Sequence, residues 1–125
     1  EAETMEELGD KQSENQKYDQ AKSSYQQAKE IYKEAKLTTK ANKLSEKIIS
    51  VEVAKTFNKA KEYEKMGDEL AGTEKYEKAI MNYKQAKEIY SKVNKLEDFN
   101  RIQEKIKKAN NEQKGFFERI FSLKE

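Results

Sequence analysis

The sequence predicts an all-α protein built from a duplicated helical unit. Three observations carry that reading: the chain matches itself at an offset of 58 residues, the matched stretches place apolar residues at helical spacing, and no proline or strand-like alternation interrupts them. Over residues 1–50 against 59–108 there are 18 identities without a gap, and Gln27-Ala28-Lys29-Glu30-Ile31-Tyr32 recurs unbroken as Gln85-Ala86-Lys87-Glu88-Ile89-Tyr90. The expected organisation is one domain over 1–125, with unit 1 at about 2–50, unit 2 at about 60–108 and a C-terminal helix at about 114–124.

The elements follow in order. The first helix of each unit ends before Asn15 or Thr73, residue types whose side chains can accept a hydrogen bond from free N–H groups at the start of a following helix. The second helix is set by Ala21, Tyr25, Ala28 and Tyr32, repeated by Ala79, Tyr83, Ala86 and Tyr90, at spacings that lay one stripe along a helix face. A second break is expected near Leu37 to Thr39 and near Asn94 to Leu96, with Thr38, Thr39 or Asn94 as caps. A third helix then carries Ala41, Leu44 and Ile48, or Phe99, Ile102 and Ile106. From 39 to 71 the preferred reading is one long helix. The β-branched cluster Ile48, Ile49, Val51 and Val53 around Ser50 leaves a break there as the alternative.

Composition narrows the chemistry. Among 125 residues there are 26 basic and 24 acidic side chains but no His, Cys, Pro or Trp. Without imidazole or thiol, the usual transition-metal ligands and the cysteine nucleophile are missing, and no spacing singles out a pair of carboxylates with divergent acidities. The expectation is a non-enzyme without cofactor or metal. A mean hydropathy of −1.21 resembles that of a disordered chain, yet seven tyrosines and five phenylalanines argue for folding. Residues 1–58 hold 10 basic and 11 acidic groups and the remainder 16 and 13, so neither part has the excess of a nucleic-acid binder. No apolar run is long enough to span a membrane, and membrane contact is not expected. The compartment stays open, with the cytoplasm favoured. A start at Glu1 rather than Met suggests a processed or excised piece.

Leu8-Gly9, Tyr18, Ala21, Tyr25 and Ala28, with Met66-Gly67, Leu70, Tyr76, Ala79, Tyr83 and Ala86, resemble the small-residue skeleton of the tetratricopeptide repeat family. The family's spacing from Gly to the first Ala, then four, then three, is kept in both. The resemblance implies helix pairs stacked as a solenoid, or α–α superhelix, that binds proteins. Tandem members recur about every 34 residues, so a third helix per unit accounts for the longer period here. The family's Lys/Asn/Arg clamp for C-terminal carboxylates is not reproduced.

By that resemblance the ligand-facing stripe lies on the first helix of each pair: Glu3, Glu6, Glu7, Asp10 and Glu14 in unit 1, and Lys61, Glu64, Lys65 and Asp68 in unit 2. Five acids without a base hint at a basic partner segment, although acids near a helix start also complement its dipole. The tyrosines read as inter-helix packing rather than a base-stacking platform, and Lys105, Lys107, Lys108 and Lys114 as a modest cluster offset by Glu104 and Glu112. In the stretch 116–123, five of eight residues are large and apolar, including Phe116, Phe117, Ile120 and Phe121. They form either a helix folded back on the last unit or an anchor for a partner. The functional expectation is a non-catalytic protein-interaction scaffold presenting a helical groove to a peptide or helix of another protein. The alternative is a self-associating, coiled-coil-like helical bundle, a homodimer formed by helix exchange included.

Overall fold

The computed structural model describes residues 1–124 as five α-helices, with no strand among them. They are α1 (Ala2–Glu14), α2 (Tyr18–Glu34), α3 (Thr38–Gly72), α4 (Tyr76–Lys92) and α5 (Leu96–Lys124). Internal contacts divide the chain into two compact units, one from Glu1 to Lys55 and one from Thr56 onward. Each is a three-helix unit with its own core. The first uses α1, α2 and the beginning of α3; the second uses the rest of α3, α4 and α5.

In unit 1 the core is Ala21, Tyr25, Ala28 and Tyr32 of α2 against Ala2 of α1 and Ala41, Leu44 and Val51 of α3. In unit 2 the 58-residue equivalents Ala79, Tyr83, Ala86 and Tyr90 of α4 meet Ala60 of α3 and Ile102 and Ala109 of α5. The stripe of alternating alanine and tyrosine is therefore the buried face. Alanine brings backbones close, and tyrosine fills the space beside them.

All four inter-helix turns share one geometry. Gln16, Lys36, Glu74 and Asn94 adopt φ near +60°, and the amide after each reaches back five residues, as Lys17 N–H does to Gln12 O at 2.8 Å. This is a Schellman closure, usually made with glycine. The expected side-chain caps are thus corrected. Asn15 closes the C-terminus of α1, Lys17 and Lys75 hold the N-cap positions without a side-chain cap bond, and the Thr73 hydroxyl donates back to Leu70 O at 3.1 Å. Thr38 is the first residue inside α3, and Asn94 is the left-handed turn residue. The turn amides bond to carbonyls at the ends of α1 to α4, so these turns close the C-terminus of the preceding helix rather than cap the N-terminus of the next.

The connector is one helix of 35 residues. Ile48 and Val51 pack on the unit 1 core, and Lys22–Glu52 and Lys55–Asp19 ion pairs tie α3 to α2, so tertiary contacts outweigh the weak propensity of the β-branched cluster. The helix expected at 114–124 is likewise no separate element. α5 continues through Asn110, Asn111 and Gly115, held by buried Ala109 on one side and Phe116 against Tyr76 on the other. No described helix is long and apolar enough to cross a membrane.

Candidate functional site

The first-helix residues that the sequence marks for a partner are sorted by the fold into two groups. In α1, Glu6, Gly9 and Asp10 share the face turned to α2. A Cβ built on Gly9 lies 2.6 Å from Tyr25 Cε1, so the ring occupies the space a side chain would need. The Tyr25 hydroxyl then donates to Asp10 Oδ1 at 2.6 Å, and Tyr32, two stripe positions on, donates to Glu6 Oε1 at 3.3 Å. Lys47 of α3 closes the set, its Nζ 2.7 Å from Glu6 Oε2 and 2.9 Å from Asp10 Oδ1. A lysine from another helix thereby bridges two like charges four residues apart and offsets part of their repulsion. Burial opposes ionisation of Asp10, but bonds from Tyr25 and Lys47 outweigh it and hold the carboxyl below its ordinary range. Burial also disfavours the Lys47 cation, and the two carboxylates reverse that, raising its pKa.

Unit 2 repeats the set with one addition. Gly67 faces Tyr83, Tyr83 donates to Asp68 at 2.8 Å, and Tyr90 donates to Glu64 at 2.7 Å. Lys105 reaches Glu64 at 2.7 Å and Asp68 at 3.0 Å. Arg101, at the position equivalent to Lys43, adds a two-pronged contact to Glu64, both prongs at 2.8 Å, and also binds Asp98. Glu64 is accordingly the better enclosed: 9% of its side chain is exposed against 26% for Glu6. The Arg101 contact, against an opposing burial effect and with help from Lys105 and Tyr90, lowers the Glu64 pKa to about 2. Burial and the facing carboxylates push Tyr25, Tyr83 and Tyr90 above the ordinary phenol range. Among the described residues no buried side-chain polar atom lacks a hydrogen-bond partner.

Glu6, Asp10, Glu64 and Asp68 are therefore brought together with basic and phenolic groups of their own unit. Glu3, Glu7 and Glu14 remain exposed on α1. Lys65 is exposed on α3, and the Lys61 ammonium lies over the Phe57 ring at 4.4 Å, with that of Lys95 at 4.8 Å from the same ring. At the end of α5, Phe116 and Ile120 are half-buried and Phe117 and Phe121 exposed. Phe116 meets Tyr76 edge-on at 6.1 Å, while Phe121 and Leu123 are 63% and 87% exposed.

Two open clefts adjoin these groups. One of about 320 Å³ lies beside Tyr76, Gln113, Phe116 and Phe117; another of about 290 Å³ lies between α3 and α5 beside Asp68, Tyr83, Lys105 and Ala109. No cluster of three acidic side chains among the described residues is arranged to hold a metal ion. Sequence reasoning missed Lys47, Lys105 and Arg101 as partners of the acids. A signal was present, since Lys47 and Lys105 match at the 58-residue offset along with the carboxylates they neutralise. No protein-family model, curated protein or solved structure matches this chain.

Proposed function

We propose that this chain is a non-catalytic protein-interaction scaffold, a tetratricopeptide-like pair of helical units that receives a peptide or helix of another protein. The observation that carries the reading is the apolar end of α5. Phe117 lines the cleft at Tyr76 and Phe116, and Phe121 and Leu123 are exposed farther along the same helix. Aromatic anchors set in a pocket contribute most of the affinity at protein interfaces. The helices that display them are fixed by the internal tyrosine and carboxylate contacts, so little conformational freedom is lost on binding. Unit 1 by itself offers exposed Glu3, Glu7 and Glu14, a negative surface that favours a basic segment.

The test is selection of helical peptides from a display library on the wild-type chain, followed by titration against variants. Phe121→Ser and Phe117→Ser should each weaken the selected peptide at least tenfold, and Phe121→Ser, the more exposed of the two, should leave thermal stability in place. Reversal of Glu3, Glu7 and Glu14 to Lys tests the unit 1 surface separately and should lower the recovery of basic peptides. Glu6 and Asp10 are unsuitable for charge reversal because they hold unit 1 together. Peptides that bind equally well to every variant would refute this reading.

A further inference from the structure

We propose that two copies of this chain associate by exchanging α1, the turn at residues 15–17 opening so that α1 of each copy seats on α2 and α3 of the other. The turn is short and strained in the closed form. Three residues separate Glu14 from Tyr18, none is glycine or proline, and Gln16 sits at φ +60°, a conformation that L side chains disfavour. Short hinges under strain invite this kind of exchange. Lys36 and Glu74 hold the same conformation at the turns into α3 and α4, and only Asn94, at the turn into α5, is a type that tolerates positive φ.

Opening costs few hydrogen bonds. The closed turn uses Gln16 N–H to Ser13 O at 3.0 Å and Lys17 N–H to Gln12 O at 2.8 Å. Straightening replaces these with ordinary helical bonds and merges α1 and α2 into one helix from 2 to 34. The chain already sustains a helix of that order, since α3 has 35 residues.

The seat fits α1 closely. A helix lying on Tyr25 needs glycine opposite the ring, because any Cβ there falls 2.6 Å from it. It also needs carboxylates one turn apart facing Lys47 and the Tyr25 and Tyr32 hydroxyls. Glu6, Gly9 and Asp10 of a second copy meet every one of those conditions by identity. Exchange conserves the α1 contacts, relieves strain at two hinges per dimer, and is opposed by the loss of independent motion, so concentration decides the balance.

The experiment uses the full chain, refolded over a range of concentrations and followed by sedimentation equilibrium. Gln16→Gly removes the strain of the closed turn and weakens the straight helix, so the dimer should dissociate at least about tenfold more readily than wild type. Gln16→Ile, β-branched and averse to positive φ, should shift the balance toward the dimer by a similar factor. A covalent readout separates exchange from pairing through the apolar end of α5. Gln12 and Ser24 meet across the α1–α2 seam, and the chain has no cysteine, so a single chain carrying both Gln12→Cys and Ser24→Cys, oxidised when dilute, first establishes that the two positions can bridge. Chains carrying Gln12→Cys and chains carrying Ser24→Cys, refolded together, should give a disulfide-linked heterodimer if α1 has crossed between copies. Dimers without that product, or a monomer at every concentration for wild type and Gln16→Ile alike, would overturn the proposal.

Discussion

Replacing Gly67 by Ala sets two opposed effects against each other. In an open helix the change is stabilising by about 1 kcal/mol. Here the new Cβ would stand 2.5 Å from Tyr83 Cε1 and 2.6 Å from Cδ1, where ordinary contact begins near 3.4 Å. The ring must therefore withdraw by most of an ångström. Tyr83 is 3% exposed, and its hydroxyl is held by Asp68 at 2.8 Å. Overpacking of this kind costs about 1–3 kcal/mol and loss of the hydroxyl bond roughly 1 more. The net expectation is a destabilisation of about 1–3 kcal/mol. Gly115, in the same unit, is the control: nothing lies within 4 Å of its Cβ position, so Gly115→Ala should stabilise by about 1 kcal/mol. Urea unfolding of the two variants, monitored by far-ultraviolet circular dichroism with the slope checked for constancy, compares them directly. If Gly67→Ala gains stability as Gly115→Ala does, the close seam between glycine and tyrosine is not what joins these helices.

Three further outcomes follow from the same contacts. Glycine at Lys36 or Glu74, both at positive φ, should raise the unfolding free energy by about 0.5–1 kcal/mol each, measured by denaturant titration. Lys43→Arg copies Arg101 into unit 1 and should form a second contact to Glu6, worth about 0.5–1 kcal/mol because the site is partly exposed; hydrogen exchange of α1 amides should slow accordingly. Glu64 binds its proton more weakly in the folded chain, at about 2 against an ordinary 4.5, so unfolding takes up a proton in acid. Its contribution is complete above pH 4.5 and is lost as pH falls toward 2. Discounted for solvent screening, it is on the order of 1–3 kcal/mol. Glu64→Gln should be less stable than wild type at neutral pH and flatter in its acid response between those limits.

The helical class, the duplicated unit and the buried stripe were legible because alanine and tyrosine recur at spacings only a helix face explains. Tyr25 and Tyr83 report the core in both copies, and the glycines sixteen residues earlier report the close approach. The turns were misread because Asn15, Thr73 and Asn94 have side chains suited to capping, whereas the chain closes its helices with backbone bonds and left-handed Gln16, Lys36, Glu74 and Asn94. Propensity could not show that Gly115 lies inside a helix, since the contact of Phe116 with Tyr76 is tertiary. For the site, a stripe of acids on one helix says nothing of the cations facing it from another. Only the fold brings Lys47 to Glu6 and Asp10, 41 and 37 positions away, and Arg101 to Glu64. Glu3, Glu7 and Glu14 sit at the outer edge of the same stripe and stay exposed.

The most direct test of the account is the titration of the Glu64 carboxyl in the folded protein, followed by carbon-detected nuclear magnetic resonance with the assignment checked against Glu64→Gln. A midpoint of about 2 is expected if Arg101, Lys105 and Tyr90 hold the carboxylate inside unit 2. A midpoint near the ordinary 4.5 would mean that Glu64 faces solvent, and that the first-helix acids are not part of the framework of their units.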